Sequence, residues 1–210
     1  TPTSEDTGAV RIDVASSCTG PFYLRQGTLL LRHSGALGLS TATVNIGGDA
    51  WVTDGANARL LADASGITVD KNLRVRSYTG RNVVATIGGS HATGSSSFTG
   101  TLTLDLSANL TAAGTSTVSF TGQITGVGGV TKTGSGPVLL SSSANNYQGG
   151  TTIQAGTLRL GASGALPAGT SVTLANVSGA LLDLNGYWHT ISSLSGGGTS
   201  GGNVALGSAQ

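Results

Sequence analysis

The chain has 210 residues, with no methionine, one cysteine and four prolines. A single cysteine, Cys18, excludes an intrachain disulfide and with it the small disulfide-stapled class. It is expected to pack as a small hydrophobe. Charge is scarce: Asp, Glu, Lys and Arg make up 9% of the chain, against roughly 25% in an ordinary domain. The net charge is +1. The densest basic run, Lys71, Arg74, Arg76 and Arg81, reads as a solvated strand face and not as a phosphate-tracking stripe, so no nucleic-acid partner is expected. No apolar run reaches the about 18 residues of a membrane-spanning helix. The chain opens at Thr1 with no signal-peptide pattern, which reads as a processed or excised piece of a longer protein. Helical periodicity is also missing, because Gly or a β-branched residue interrupts almost every window.

What remains is β structure. Glycine accounts for 35 residues, and Val, Leu, Ile and Ala recur in short runs such as 28–31, 101–106, 117–120, 138–140 and 157–160. Clusters of Gly, Asn, Asp and Ser separate the runs and supply turns. Within 101–106 the residues alternate Thr, Leu, Thr, Leu, Asp, Leu, which buries one face and wets the other. Only Asp54-Gly55 and Asn185-Gly186 have hairpin-turn chemistry, too few to build a sandwich. Leu102, Leu104 and Leu106 would instead point into a coil and stack on the next.

An internal repeat supports coils. Gly27-Thr28-Leu29-Leu30-Leu31 matches Gly156-Thr157-Leu158-Arg159-Leu160, and Ser34-Gly35-Ala36-Leu37 matches Ser163-Gly164-Ala165-Leu166. Both pairs share one offset, and so do Gly20 with Gly149 and Leu24 with Ile153. Such units bury a core only by stacking on neighbours. Composition and spacing by themselves reach a repetitive all-β domain over residues 1–210, with related copies at about 18–37 and 129–166.

Residues 129–160 read Gly-Val-Thr-Lys-Thr-Gly-Ser-Gly-Pro-Val-Leu-Leu-Ser, then Asn145-Asn146-Tyr147-Gln148-Gly149-Gly150-Thr151-Thr152-Ile153, then Ala155-Gly156-Thr157-Leu158-Arg159-Leu160. Three blocks in this order resemble the passenger-associated transport repeat of bacterial autotransporters. Pro137 departs from the usual Thr and suggests a strand start or edge. In the first copy Cys18, Pro21 and Phe22 stand where Tyr147, Gly150 and Thr151 stand in the second. The resemblance implies a right-handed parallel β-helix (a β-solenoid) of roughly seven to ten coils, extracellular or on the cell surface. That coil number follows from about 20 to 30 residues per coil, and about 4.8 Å per coil makes the column roughly 35 to 50 Å long.

The repeat residues are assigned structural roles: Lys132, Gly134, Gly136, Tyr147, Gly149, Gly150, Gly156, Leu158 and Leu160. Gly149 and Gly150 are expected to turn the chain between faces. Leu139, Ile153, Leu158 and Leu160 are expected to point inward, Lys132 to be a solvated turn residue, and Tyr147 to keep its ring in the core and its hydroxyl at water.

The resemblance brings no catalytic residue, cofactor or metal. A glycosidase would need two facing carboxylates, and Asp49, Asp54, Asp63 and Asp70, near Arg59, Arg74 and Arg76, are the candidates. The competing reading puts these aspartates in turns. His33, His91 and His189 lack metal-ligand spacing and read as isolated surface residues. Trp51 and Trp188 are expected in the core at coil corners, or else exposed and stacking on sugar rings. The expected function is a secreted or surface structural or adhesive solenoid (stalk, scaffold or self-associating fibre subunit), without catalysis. The alternative is a carbohydrate-binding or carbohydrate-cleaving β-helix. Partners would be further copies, end-to-end or lateral, and a glycan or cell-surface ligand.

Overall fold

The structure, a computed structural model, describes residues 9–48, 55–78 and 83–208. Within them are 21 strands and no helix. The first sheet holds β1 (Ala9–Ile12), β3 (Gly27–Leu31), β5 (Asn57–Ala62), β8 (Val84–Gly89), β11 (Ala108–Thr111), β14 (Val130–Thr133), β16 (Thr151–Ile153), β18 (Ser171–Leu174) and β20 (Ser193–Gly196), in that spatial order. A second sheet stacks β2 (Tyr23–Leu24), β4 (Val44–Gly47), β7 (Leu73–Arg76), β10 (Leu102–Leu104) and β13 (Ile124–Gly126). The third stacks β6 (Thr68–Val69), β9 (Ser95–Phe98), β12 (Thr117–Phe120), β15 (Val138–Leu140), β17 (Thr157–Leu160), β19 (Leu181–Asp183) and β21 (Asn203–Ala205).

Every strand pairing is parallel, and each partner lies one coil away in sequence. The described residues form a parallel β-solenoid of nine coils, each begun here at its first-sheet strand. At about 4.8 Å per coil the column is about 40 Å long. The early coils vary: Thr28 pairs with Arg59, 31 residues on, and Asn57 with Val84, 27 on. The later coils tighten, with Val130 opposite Thr151, 21 residues on. Asn185-Gly186 does adopt positive φ at both residues, but it lies between parallel strands and closes no hairpin.

Alternation explains the core. Odd and even positions of a strand face opposite sides, so inward residues of successive coils stack into ladders. In the first sheet Leu29, Leu60, Ile87 and Leu110 are in register and buried, and beyond them Ile153 pairs with Leu174. In the third sheet Phe98 stacks on Phe120 with ring centroids 5.0 Å apart. Each fully buried aliphatic side chain stabilises by about 1.5–3 kcal/mol, so the stacked ladders supply the folding energy that no single coil could.

Two inward positions differ from expectation. Leu139 is half-exposed, while its neighbours Val138 and Leu140 are buried. Val138 stacks between Val118 and Leu158 and Leu140 between Phe120 and Leu160, which turns Leu139 outward beside Ser119 and Arg159. Leu106 is only partly buried, since β10 ends at Leu104. The two sequence copies also occupy different faces. Gly27–Leu31 lies in the first sheet and Thr157–Leu160 in the third. A strand followed by a Ser-Gly-Ala-Leu corner fits any face that presents the same pleat.

Candidate functional site

The repeat residues converge in coils six and seven. Lys132 occupies an inward position of β14, between Leu110 of the coil before and Ile153 of the coil after. It is 0% exposed, so the expected solvated turn residue is a core residue. The physical reason is strand phase: Val130 and Lys132 both face inward, and Thr131 and Thr133 outward. The aliphatic stem continues the Leu–Ile ladder and carries the ammonium to the corner after the strand. There Nζ donates to the carbonyl oxygens of Thr133 at 2.7 Å, Gly134 at 2.7 Å and Ala155 at 2.9 Å. Three acceptors match the three donors of an ammonium. Burial still pushes the pKa down to about 8.

Glycine makes that corner possible. Gly156 has φ +63°, and a Cβ there would lie 2.4 Å from the Gly134 carbonyl oxygen and 2.8 Å from Lys132 Nζ. Gly134 also takes positive φ, and a Cβ on Gly136 would lie 2.6 Å from the Ser116 carbonyl oxygen. Leu158 and Leu160, just beyond, are fully buried.

Tyr147 is 2% exposed, and its hydroxyl lies 2.7 Å from Thr151 Oγ1. The hydroxyl is therefore internal and not at water. Thr151 faces inward from β16, so a partner exists inside the coil. Burial pushes the phenol up to about 12, while the bond to Thr151 opposes the shift. Asn145, also buried, ties three coils together. Its Oδ1 accepts from the Ile124 N–H at 2.7 Å, and its Nδ2 donates to the Ala165 carbonyl at 2.8 Å. Asn145 was missed as a functional position, although its place in the Asn-Asn-Tyr block was a signal. Gly149 and Gly150 sit at the corner leading into β16. A Cβ on Gly149 would come within 2.3 Å of the Gly129 nitrogen, so two coils touch backbone to backbone.

Of the acidic residues suggested for catalysis, the two that are described, Asp63 and Asp70, do not come together. Asp49, Asp54, Trp51 and Arg81 lie outside the described residues. Asp63, just after β5, accepts from Ser90 Oγ at 2.8 Å, whereas Asp70, just after β6, stands 3.4 Å from Lys71. They occupy different corners. Arg74 is paired with Asp105 at 2.9 Å and Arg159 with Asp183 at 2.7 Å. Among the described residues no three His, Cys, Asp or Glu side chains gather to hold a metal.

Three further expectations need correction. Cys18 is exposed, because it lies on an irregular stretch of the first coil outside any inward ladder. His91 is buried, and its ring nitrogens lie 2.9 Å from the Thr93 carbonyl and 3.1 Å from Ser96 Oγ. Trp188 is 78% exposed and not core. Its neighbour His189 takes the more buried side of the segment, where burial lowers its pKa.

The family described as passenger-associated-transport-repeat matches residues 130–160, the stretch that contains the Lys132, Asn145 and Tyr147 contacts. A 93-residue stretch, 44% of this chain, is 52% identical to the adhesin BmaC autotransporter of Brucella suis biovar 1 (strain 1330). The chain is similar to autotransporter passenger sequence over these stretches. The aligned stretch spans only 3% of that relative's length. No solved structure matches the chain. That similarity supports a location on the bacterial cell surface or outside the cell. No helix among the described residues is long and apolar enough to cross a membrane.

Proposed function

We propose that this passenger segment is a rigid, non-catalytic adhesive shaft that also associates with copies of itself. The observation that carries the reading is the outer face of the first sheet. Asn109, Thr131, Thr152, Thr173 and Ser195 stand in register there, one per coil, pointing away from the core. The row is uncharged and regularly spaced, and each side chain can donate and accept a hydrogen bond. Thr173 and Ser195 already bond to each other at 3.1 Å. A second solenoid laid alongside would meet the same row. The relative's name as an adhesin supports the adhesive part of the reading.

Sedimentation velocity over a concentration series tests self-association. The native chain is expected to form dimers or larger species, and Thr131→Lys/Thr152→Lys is expected to stay monomeric through like-charge repulsion. A native chain that is strictly monomeric at high concentration removes the self-associating part.

A further inference from the structure

The second sheet stops at β13, and the wall it would have continued opens into a cleft of about 550 Å³ bounded by residues 145–148 and 167–170. Coil six still stacks on coil five there, with the Asn146 N–H donating to the Ile124 carbonyl and the Gln148 N–H to the Gly126 carbonyl. In coil seven the corresponding stretch contains Pro167, which has no N–H to continue such a ladder. A break in the sheet follows, and Asn146, Gln148 and Gly169 lie exposed at its edges.

Coil eight carries Trp188 past this opening, outside the side chains that line the cleft itself. The Gly169 N–H donates to the Thr190 carbonyl at 3.3 Å, and the Ser192 N–H to the Thr170 carbonyl at 2.9 Å. Residues 190–192 therefore stack directly on 169–170, and Trp188 comes two residues earlier, on the same side of the column. Trp188 is 78% exposed, so its indole face is open to a ligand.

The geometry points to a binding site for an uncharged oligosaccharide, with Trp188 as stacking platform and Asn146 and Gln148 as hydrogen-bonding edges. This assignment rests on the adhesive reading and names its ligand class. The volume falls within the roughly 300–1,000 Å³ of small-ligand sites. No Asp, Glu, Lys or Arg lines the cleft, so it offers no charge to an anionic or cationic ligand. A carboxamide donates and accepts through one group, which suits a sugar hydroxyl that does the same. The indole face supplies the apolar surface for the C–H side of a sugar ring.

The direct test is saturation-transfer NMR on the purified chain with neutral glucan, mannan and xylan oligosaccharides and with anionic hyaluronan oligosaccharides. At least one neutral series is expected to bind and the anionic one not. Trp188→Ala is expected to weaken binding by about tenfold or more, and Gln148→Ala severalfold, both with unchanged circular dichroism. Both side chains are exposed, so neither change disturbs the core. Absence of neutral-glycan binding at millimolar concentration, or full binding by Trp188→Ala, overturns the assignment.

A second assay separates this from the adhesive reading. Beads coated with the native chain are expected to attach to cells and to lose attachment when the cell glycans are stripped. Attachment that survives stripping overturns the glycan assignment alone, whereas failure of the native beads to attach to any cell overturns the adhesive reading.

Discussion

Lys132 and Ala155 belong to successive coils, yet the lysine ammonium donates to the alanine carbonyl at 2.9 Å. The same ammonium holds the two carbonyls of its own corner. One side chain thus fixes both the shape of a turn and the seat of the next coil on it. Ladders of Leu and Ile are non-directional and would tolerate small slips, but three hydrogen bonds from one nitrogen would not.

A pH signature follows from Lys132. Its folded pKa of about 8 lies below the ordinary 10.5, so the folded chain binds that proton less tightly than the unfolded chain. Below pH 8 both states are protonated and the full penalty of burying the charge applies. As pH rises from about 8 toward 10.5 the folded state loses its proton first, and stability rises, by up to about 3 kcal/mol. Tyr147 acts oppositely above pH 10, because its raised pKa means the folded state holds that proton longer. Denaturant melts at pH 7.5, 9 and 10 are expected to show rising stability in the native chain. Lys132→Met keeps the stem between Leu110 and Ile153 and should abolish the rise. At pH 7.5 its stability should lie within about 1 kcal/mol of native, since the half-exposed corner carbonyls can turn to water. A native chain whose stability is flat from pH 7.5 to 10 contradicts the account.

Tyr147 and Thr151 give a coupling measurement. Tyr147→Phe leaves Thr151 Oγ1 buried without its 2.7 Å partner and is expected to destabilise by about 1–2 kcal/mol. Thr151→Val should cost a similar amount. Removing both polar groups leaves nothing unsatisfied, so the double variant should be less destabilised than the sum of the singles. Strict additivity in chemical melts would mean that the two hydroxyls do not depend on each other.

The fold was legible because its signals are local and redundant. Leu102 and Leu104 alternate with polar residues, and the repeat at Thr28 and Thr157 announced stacked coils. What the sequence hid was phase and face. Lys132 is charged, and charge by itself reads as solvent, yet its place two residues after Val130 on a strand turns it inward. Tyr147 lies in the core as its aromatic ring suggests, but the partner that lets its hydroxyl follow lies four residues on, across a corner. Trp188 lies in no strand and is exposed, and nothing in its own window separates that placement from a core corner.

Backbone contact at the Lys132 corner leads to a steric prediction. Gly156→Ala puts a Cβ at positive φ, against the Gly134 carbonyl and the Lys132 ammonium. Left-handed backbone alone costs about 1–2 kcal/mol for a non-glycine residue, and displacing Nζ adds the loss of charge-assisted hydrogen bonds. The expected loss is above about 3 kcal/mol. In the Lys132→Met background the same change should cost less, because there is no ammonium to displace. Equal losses in the two backgrounds, measured by thermal or denaturant melts, would show that the strain is purely backbone.

Asn145 gives the sharpest chemical test, because a one-atom change inverts one of its two bonds. Asn145→Asp keeps the acceptor that Ile124 N–H uses but replaces the donor to Ala165 with a second acceptor. A buried carboxylate oxygen would then face a carbonyl oxygen at about hydrogen-bond distance, which is repulsive unless the acid is protonated. Protonation supplies an O–H that can serve the Ala165 carbonyl, so the folded state raises the pKa of the new acid. By linkage, a raised carboxyl pKa means that the folded state binds more protons than the unfolded one, and stability falls as pH rises through that range. Asn145→Asp is therefore expected to approach native stability near pH 4 and to lose about 2–3 kcal/mol by pH 7. Urea melts of native and variant chains at those two pH values, compared as differences, decide it. A variant equally destabilised at both would mean that the amide acts through shape, and that the bond from Asn145 to coil seven contributes little.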